Sequence, residues 1–167
     1  MPALSLQRRN AFRYLVLSSV ILTNIGISSA LGADWARFRG PNGSGVSSDT
    51  QPLPTTWSAT KNLKWKVELP GPGSSSPIVV GERVYVTCWS GYGTDRGNPG
   101  DQKQLRRHLV CLDRNTGGTI WSKAVEPTLP EDEYRGMFAE HGYASHTPVS
   151  DGCNRQPAGQ QAKLVGV

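Results

Sequence analysis

Four short apolar runs separated by turn residues occupy residues 75–125, and a unit of this kind cannot bury both of its faces alone. Ser75-Ser76-Pro77-Ile78-Val79-Val80 leads through Gly81-Glu82 into Arg83-Val84-Tyr85-Val86. His108-Leu109-Val110-Cys111-Leu112-Asp113 follows, then Asn115-Thr116-Gly117-Gly118-Thr119-Ile120-Trp121. This is the layout of one propeller blade, which needs neighbours stacked around an axis. The chain has 167 residues, too few to supply a full ring.

Each punctuation mark in the unit has a physical reason. Pro77 opens a strand, where its missing amide costs no ladder bond. Gly81-Glu82 makes a hairpin turn into Val84–Cys88. Trp89 to Arg107 is rich in Gly, Asn, Asp and Pro and reads as an inserted loop. Leu109–Leu112 is the third strand. Asp113 to Gly117 is a turn whose Asp and Asn side chains bond the local backbone while Gly takes positive φ. Thr119 to Val125 is the fourth strand and carries Trp121.

The unit recurs in part. Ser76-Pro77-Ile78-Val79-Val80-Gly81 returns 71 residues later as Thr147-Pro148-Val149-Ser150-Asp151-Gly152. Upstream, Leu63 to Leu69 alternates apolar and polar residues at period two, the signature of a half-buried strand, and Pro70-Gly71-Pro72-Gly73 stops it. Lys64-Trp65-Lys66 there matches Ile120-Trp121-Ser122. The expectation for residues 63–152 is the last strand of one blade, a whole blade, and the first strand of the next. Between the units, Glu126 to Ala144 is an insertion whose acidic run Glu131-Asp132-Glu133 is expected to open a short helix or turn.

Flanking segments read differently. Arg8, Arg9 and Arg13 precede an apolar stretch from Tyr14 to Ile27, and Ser28-Ser29-Ala30 supplies small residues for cleavage, so residues 1–30 read as an export signal. An uncleaved anchor is the other reading, but the stretch is shorter than the ~20 residues that span a bilayer and contains Asn24. A periplasmic or secreted protein with no membrane span after cleavage is expected. Residues 31–62 are rich in Gly, Pro, Ser and Thr and should form an extended segment anchored by Trp35, Phe38 and Trp57. After Gly152, the run Cys153 to Gln161 cannot form the strand that the first unit predicts. Residues 153–167 are therefore expected to be an aberrant or disordered tail, with the chain a truncated version of a longer propeller; a natural polar tail is the alternative.

Charge narrows the partners. The formal net charge is +5. Without the three Arg of residues 1–33, which hold no acid, 15 of the 18 Lys and Arg stand against 13 acids, a net +2. No basic patch for nucleic acid remains. Arg106-Arg107-His108 is the densest basic spot and reads as a solvated loop end. The cysteine count, Cys88, Cys111 and Cys153, is odd, and Cys88 and Cys111 fall on expected neighbouring strands, so a bridge between them or buried free thiols are both open.

At the repeat residues the chain resembles the pyrroloquinoline quinone (PQQ)-like propeller repeat family. The matching positions are Ser76 to Val79, Gly81 to Val86, Leu112 to Gly117, and Trp121. Asp34-Trp35 with Phe38 to Asn42 also resembles the start of exported bacterial members. The resemblance implies an all-β fold, an incomplete PQQ-like β-propeller with one full four-stranded blade and parts of two neighbours. It marks Trp65, Pro77, Gly81, Tyr85, Asp113, Gly117, Trp121, Pro148 and Gly152 as repeat-signature or blade-docking positions. The family includes quinone-dependent alcohol dehydrogenases and the non-enzymatic outer-membrane-assembly lipoprotein. In the dehydrogenases a quinone on a Trp floor, a calcium and an Asp base come from several blades, and none of those groups maps onto this chain.

The function expected is binding or scaffolding, with no catalytic site or cofactor of its own, and with self-association or other propeller blades as partners. PQQ with calcium enters only if other blades are supplied. A remnant or subunit of a quinone-dependent dehydrogenase-like enzyme is a second reading, and a non-functional truncated product a third. Other constellations read as ordinary structure. His141 and His146 lack a third ligand nearby, and Asp95, Asn98 and Asp101 are polar loop residues with calcium as the minor alternative. Gly91-Tyr92-Gly93 and the Gly-rich run from Gly40 do not lie between a strand and a helix, so neither is a phosphate cradle.

Overall fold

A computed structural model describes residues 33–50 and 52–151, together with the backbone of Leu164–Val165. Its centre is a four-stranded antiparallel meander of β1 (Ile78–Val80), β2 (Arg83–Ser90), β3 (Arg106–Asp113) and β4 (Thr119–Val125), paired in that order. The single helix among the described residues is α1 (Met137–His141). A small second ladder joins β5 (Val149–Ser150) to β6 (Leu164–Val165). The fold is thus all-β in its described part, and two residues of the expected tail form a strand. The export-signal reading, Cys153 and Gly152 lie outside the described residues.

The register explains the core. Ile78 faces Tyr85, Tyr85 faces Cys111, and Cys111 faces Trp121, so one row of apolar side chains crosses all strands on one face. Ile78, Tyr85 and Cys111 are buried, and Trp121, Leu109 and Ala36 pack against them. The opposite face carries Cys88, Val110 and Leu112, covered by Trp65, Val67 and Leu69 from the preceding segment. Alternation along residues 63–69 is therefore a true sign of a half-buried face. The strand expected there does not form: this stretch pairs with no strand among the described residues.

Both central strands exceed the expected lengths. β2 continues to Ser90 and β3 begins at Arg106, with every residue from Arg83 to Ser90 in register with Asp113 to Arg106. The inserted loop shrinks accordingly, and a short 3-10 turn, Gln102–Gln104, closes it with Asp101 accepting from the Lys103 amide at 2.9 Å. The hairpin at Gly81-Glu82 forms as expected, with Gly81 at φ +55°. The cap at the other hairpin is as expected for Asp113, whereas the Asn115 side chain bonds the side chains of Glu82 and Lys64 and not the local backbone. Asp113 Oδ1 accepts from the amides of Asn115 at 2.9 Å and Thr116 at 2.8 Å, and from the Thr116 hydroxyl at 3.0 Å.

Two expectations require correction, and two open alternatives are decided. Of the proposed anchors, only Trp35 is seated: it bridges to Val79 by hydrogen bonds of 2.7 and 3.0 Å, whereas Phe38 and Trp57 are 60% and 67% exposed. Of the helix and the turn open for the acidic run, the turn forms: the Arg135 amide donates to the Glu133 carbonyl at 2.7 Å, and the helix starts only at Met137 after Gly136. Arg106 to His108 is no loop end but the first part of β3. Cys88 and Cys111 are buried free thiols with no bridge. Cys88 lies opposite His108 while Cys111 lies opposite Tyr85, an odd offset that sends the two side chains to opposite faces of the sheet.

Burial raises both thiol pKa values, and the backbone at Gly71 only partly offsets this for Cys88. Little thiolate is then present at neutral pH. Iodoacetamide is expected to leave Cys88 and Cys111 unmodified in the native protein and to modify both in denaturant, as read by peptide mass spectrometry; a Cys88–Cys111 disulfide in the mapped peptides would contradict the register.

Gly117 combines two demands. Its φ is +74°, and a Cβ there would sit 2.6 Å from the Trp65 ring. Gly81 has only the positive φ, with open space around it. Gly81→Ala is expected to cost about 1 kcal/mol and Gly117→Ala clearly more, about 3 kcal/mol, because Trp65 must also move. Denaturation midpoints of the two variants measure the difference.

Candidate functional site

Two ends of the sheet gather polar side chains, and they do different work. At the turn end, Asp34 Oδ1 accepts from the Gly81 amide at 2.8 Å, and the Arg114 amide donates to the Glu82 carbonyl at 3.0 Å. Asn115 donates to the Glu82 carboxylate and accepts from Lys64 Nζ at 3.0 Å. Trp65 lies on Gly117 and donates its indole N–H to the Arg114 carbonyl at 2.9 Å. The network joins the N-terminal segment, both hairpin turns and the segment before the sheet.

At the opposite end, the insertion after β4 folds onto β3 around one arginine. Arg107 makes a two-pronged pair with Glu131, Nη1 to Oε1 at 2.9 Å and Nη2 to Oε2 at 2.8 Å, and its Nε donates to the Tyr143 carbonyl at 3.1 Å. Its guanidinium carbon also lies 5.9 Å from the Tyr143 ring centre. Every nitrogen of the group is therefore committed to holding the insertion in place. Behind it, Trp89, Tyr92, Leu105, Tyr143 and Ala144 form a buried cluster with Tyr134 and Phe138 against it. Tyr143 donates to the Asp132 carbonyl at 2.8 Å, and the Tyr134 amide donates to Tyr92 at 3.0 Å. Burial and the neighbouring Tyr92 push the Tyr143 hydroxyl pKa upward, so it stays a neutral donor.

A cleft of about 320 Å³ opens beside this cluster. Thr87, Arg107, Phe138, Tyr143 and His146 are among its walls. Thr87 donates to the His146 carbonyl at 3.0 Å. His108, also at the cleft, shares a 2.7 Å hydrogen bond with Ser90 through Nε2, and burial lowers its pKa. A hydroxyl and a neutral imidazole at this distance are the first two parts of a nucleophile–base relay, but no carboxylate among the described residues bonds the imidazole to orient it. The pair instead ties the ends of β2 and β3.

The residues expected as repeat-signature positions divide by face. Trp65 meets the Asp113–Gly117 turn, while Tyr85 and Trp121 pack together on the other face with ring centres 6.0 Å apart. Pro148 is fully buried and Pro77 is exposed. Ser76 and Thr147, the expected starts of two units, lie side by side, the Ser76 amide donating to Thr147 Oγ1 at 3.1 Å. His141 is not at the cleft with His146, and among the described residues no group of three metal-ligating side chains assembles. Asp95 and Asp101 bond the backbone of their own loop, at Gly97 and Lys103. Sequence reading missed the Arg107–Glu131 pair and the tyrosine cluster; the one available signal was the density of aromatic residues, Tyr134, Phe138 and Tyr143, in an insertion read only for its acidic run.

No family model, curated protein or solved structure matches the chain.

Acid should loosen this end. Arg107 holds the Glu131 carboxyl below its ordinary value of 4.5, mainly by the direct hydrogen bonds. The charged form is favoured by folding, so its stabilisation is complete above 4.5 and is lost as pH falls through the lower folded value. Asp113, held low by the Thr116 amide, acts in the same direction. Glu131→Gln is expected to remove about 2 kcal/mol at neutral pH and to give a shallower loss of stability below 4.5 than the native protein shows in denaturant titrations.

Proposed function

We propose that this chain is built on a unit of the PQQ-like propeller repeat and acts by binding or scaffolding, without a catalytic site of its own. The observation that carries the reading is the order of packing. The segment before the sheet, Trp65 to Leu69, covers one face. The segment after it meets the other face, where Thr87 holds His146 and Arg107 holds Tyr143. Stacked repeats pack in this order, each unit between its predecessor and its successor in the chain.

A second contact supports the same reading. Val79 and Ser150 occupy equivalent places in the 71-residue repeat. The N-terminal segment bonds both: Trp35 exchanges hydrogen bonds with Val79, and the Ala36 carbonyl accepts from the Ser150 amide at 3.0 Å. Equivalent backbone groups at the starts of two units are thus served by one strap. In this reading Trp65 and Gly117 form the docking contact between units, the protein is exported to the periplasm or beyond, and PQQ with calcium enters only through blades supplied by other chains.

Val149, 40% exposed on β5, marks where a following unit or partner would pack. A photo-cross-linking residue at Val149 in the full chain, produced in an exporting bacterial host, is expected to yield a discrete light-dependent adduct, and one at the exposed Asp49 none. Absence of any adduct at Val149, or quinone-dependent dye reduction by the purified chain on addition of PQQ and calcium, would overturn the proposal.

A further inference from the structure

Asn42-Gly43 is the chain's single Asn-Gly step, and the turn that holds it aims two donors at the side-chain carbonyl oxygen of Asn42. We propose that Asn42 is a site of self-modification: the Gly43 amide attacks the Asn42 side chain, ammonia leaves, and the residue becomes aspartate or isoaspartate. The inference goes beyond the binding reading and does not rest on it, since it uses the turn at residues 37–46 alone.

The reaction balances with water as the only co-reactant. Hydroxide takes the Gly43 amide proton, and the nitrogen forms a bond to Asn42 Cγ while the carbonyl electron pair moves onto Oδ1. The pair returns as the Cγ–Nδ2 bond breaks, and Nδ2 leaves as ammonia with a proton from water. Water then opens the cyclic imide at either carbonyl. Opening at Cγ gives aspartate; opening at the main-chain carbonyl gives isoaspartate.

The turn is arranged for the charge this step creates. Ser44 donates to Asn42 Oδ1 from its amide at 3.0 Å and from its hydroxyl at 2.7 Å, so the atom that becomes an oxyanion already meets two donors. The Val46 amide donates to Ser44 Oγ at 3.1 Å, which strengthens the hydroxyl as a donor. Arg37 holds the carbonyls of Gly40 and Pro41 at 3.1 and 2.6 Å, and Arg39 that of Ser44 at 3.5 Å, so two cations flank the reacting pair. One bond opposes the step: the Gly43 amide donates to the Gly40 carbonyl at 3.0 Å and must release it. Two donors and two guanidinium groups outweigh that single turn bond.

Asn42 stands apart from the other asparagines of the described residues. Asn98 precedes Pro99, which has no amide proton to lose. Asn62 and Asn115 precede Leu63 and Thr116, whose side chains crowd the nitrogen, and their own amide groups donate to the Thr56 carbonyl and the Glu82 carboxylate. The product reaches beyond the turn. Trp35 lies against Gly40, where a Cβ would be 2.7 Å from its ring, and isoaspartate lengthens the main chain between residues 42 and 43.

The full chain and a synthetic peptide spanning 36–48 are aged side by side in one neutral buffer, and proteolytic peptides are followed by mass. Asn42 is expected to pass through a species lacking ammonia to the acid, and to do so faster in the chain than in the peptide. Ageing in oxygen-18 water should place the label at residue 42. Ser44→Ala should slow the chain about fivefold and leave the peptide rate unchanged, while Ser44→Thr, which keeps the hydroxyl, should retain the native rate. Conversion no faster in the chain than in the peptide overturns the proposal. So does a Ser44→Ala chain that converts at the native rate.

Discussion

The β2–β3 ladder carries apolar side chains on both faces, and the rest of the structure is arranged to keep both out of water. Ile78, Tyr85 and Cys111 line one face; Cys88, Val110 and Leu112 line the other. An isolated sheet of this size would leave one of these rows wet, at a cost of about 1.5–3 kcal/mol for each large side chain. The flanking segments resolve this. Residues 65–69 cover one row without forming a strand of their own, and Ala36 joins the cover over the other.

Covering both faces fixes where the polar work is done. The apolar side chains in the middle of β2 and β3 are packed under cover, and the ionisable groups collect at the two ends. The turn end is a backbone network anchored by Asp34, Glu82, Asp113 and Asn115. The opposite end is held by Arg107, whose nitrogens are all engaged by Glu131 and Tyr143. A guanidinium so occupied is an anchor for the insertion, not a receptor for an anion.

The glycines around the sheet obey the same constraint. Pro70 to Gly73 reads locally as a strand stop, yet a Cβ at Gly71 would lie 2.0 Å from the Trp89 carbonyl oxygen and one at Gly73 2.6 Å from that of Thr87. Small residues are needed there because the chain passes directly over the backbone of β2, where the Pro72 carbonyl accepts from the Trp89 amide at 2.9 Å. The local pattern marks the break and is silent about its cause, since close approach between distant segments leaves no periodic trace.

Local chemistry determined the meander. Period-two runs, the Gly81-Glu82 hairpin and the self-capping Asp113–Gly117 turn each act over a few residues, so the strands and their order were legible from the residues alone. Tertiary packing decided the rest. Which face each cysteine takes depends on a register set by the whole ladder, and a shift of one residue would reverse it. The pairing of Arg107 with Glu131 links residues 24 apart, across β4 and part of the insertion, and no local pattern predicts it. Residues 63–69 show the boundary most clearly: alternation determined which side chains turn inward, but a ladder also needs a neighbouring strand, and a neighbour is a property of the assembled fold.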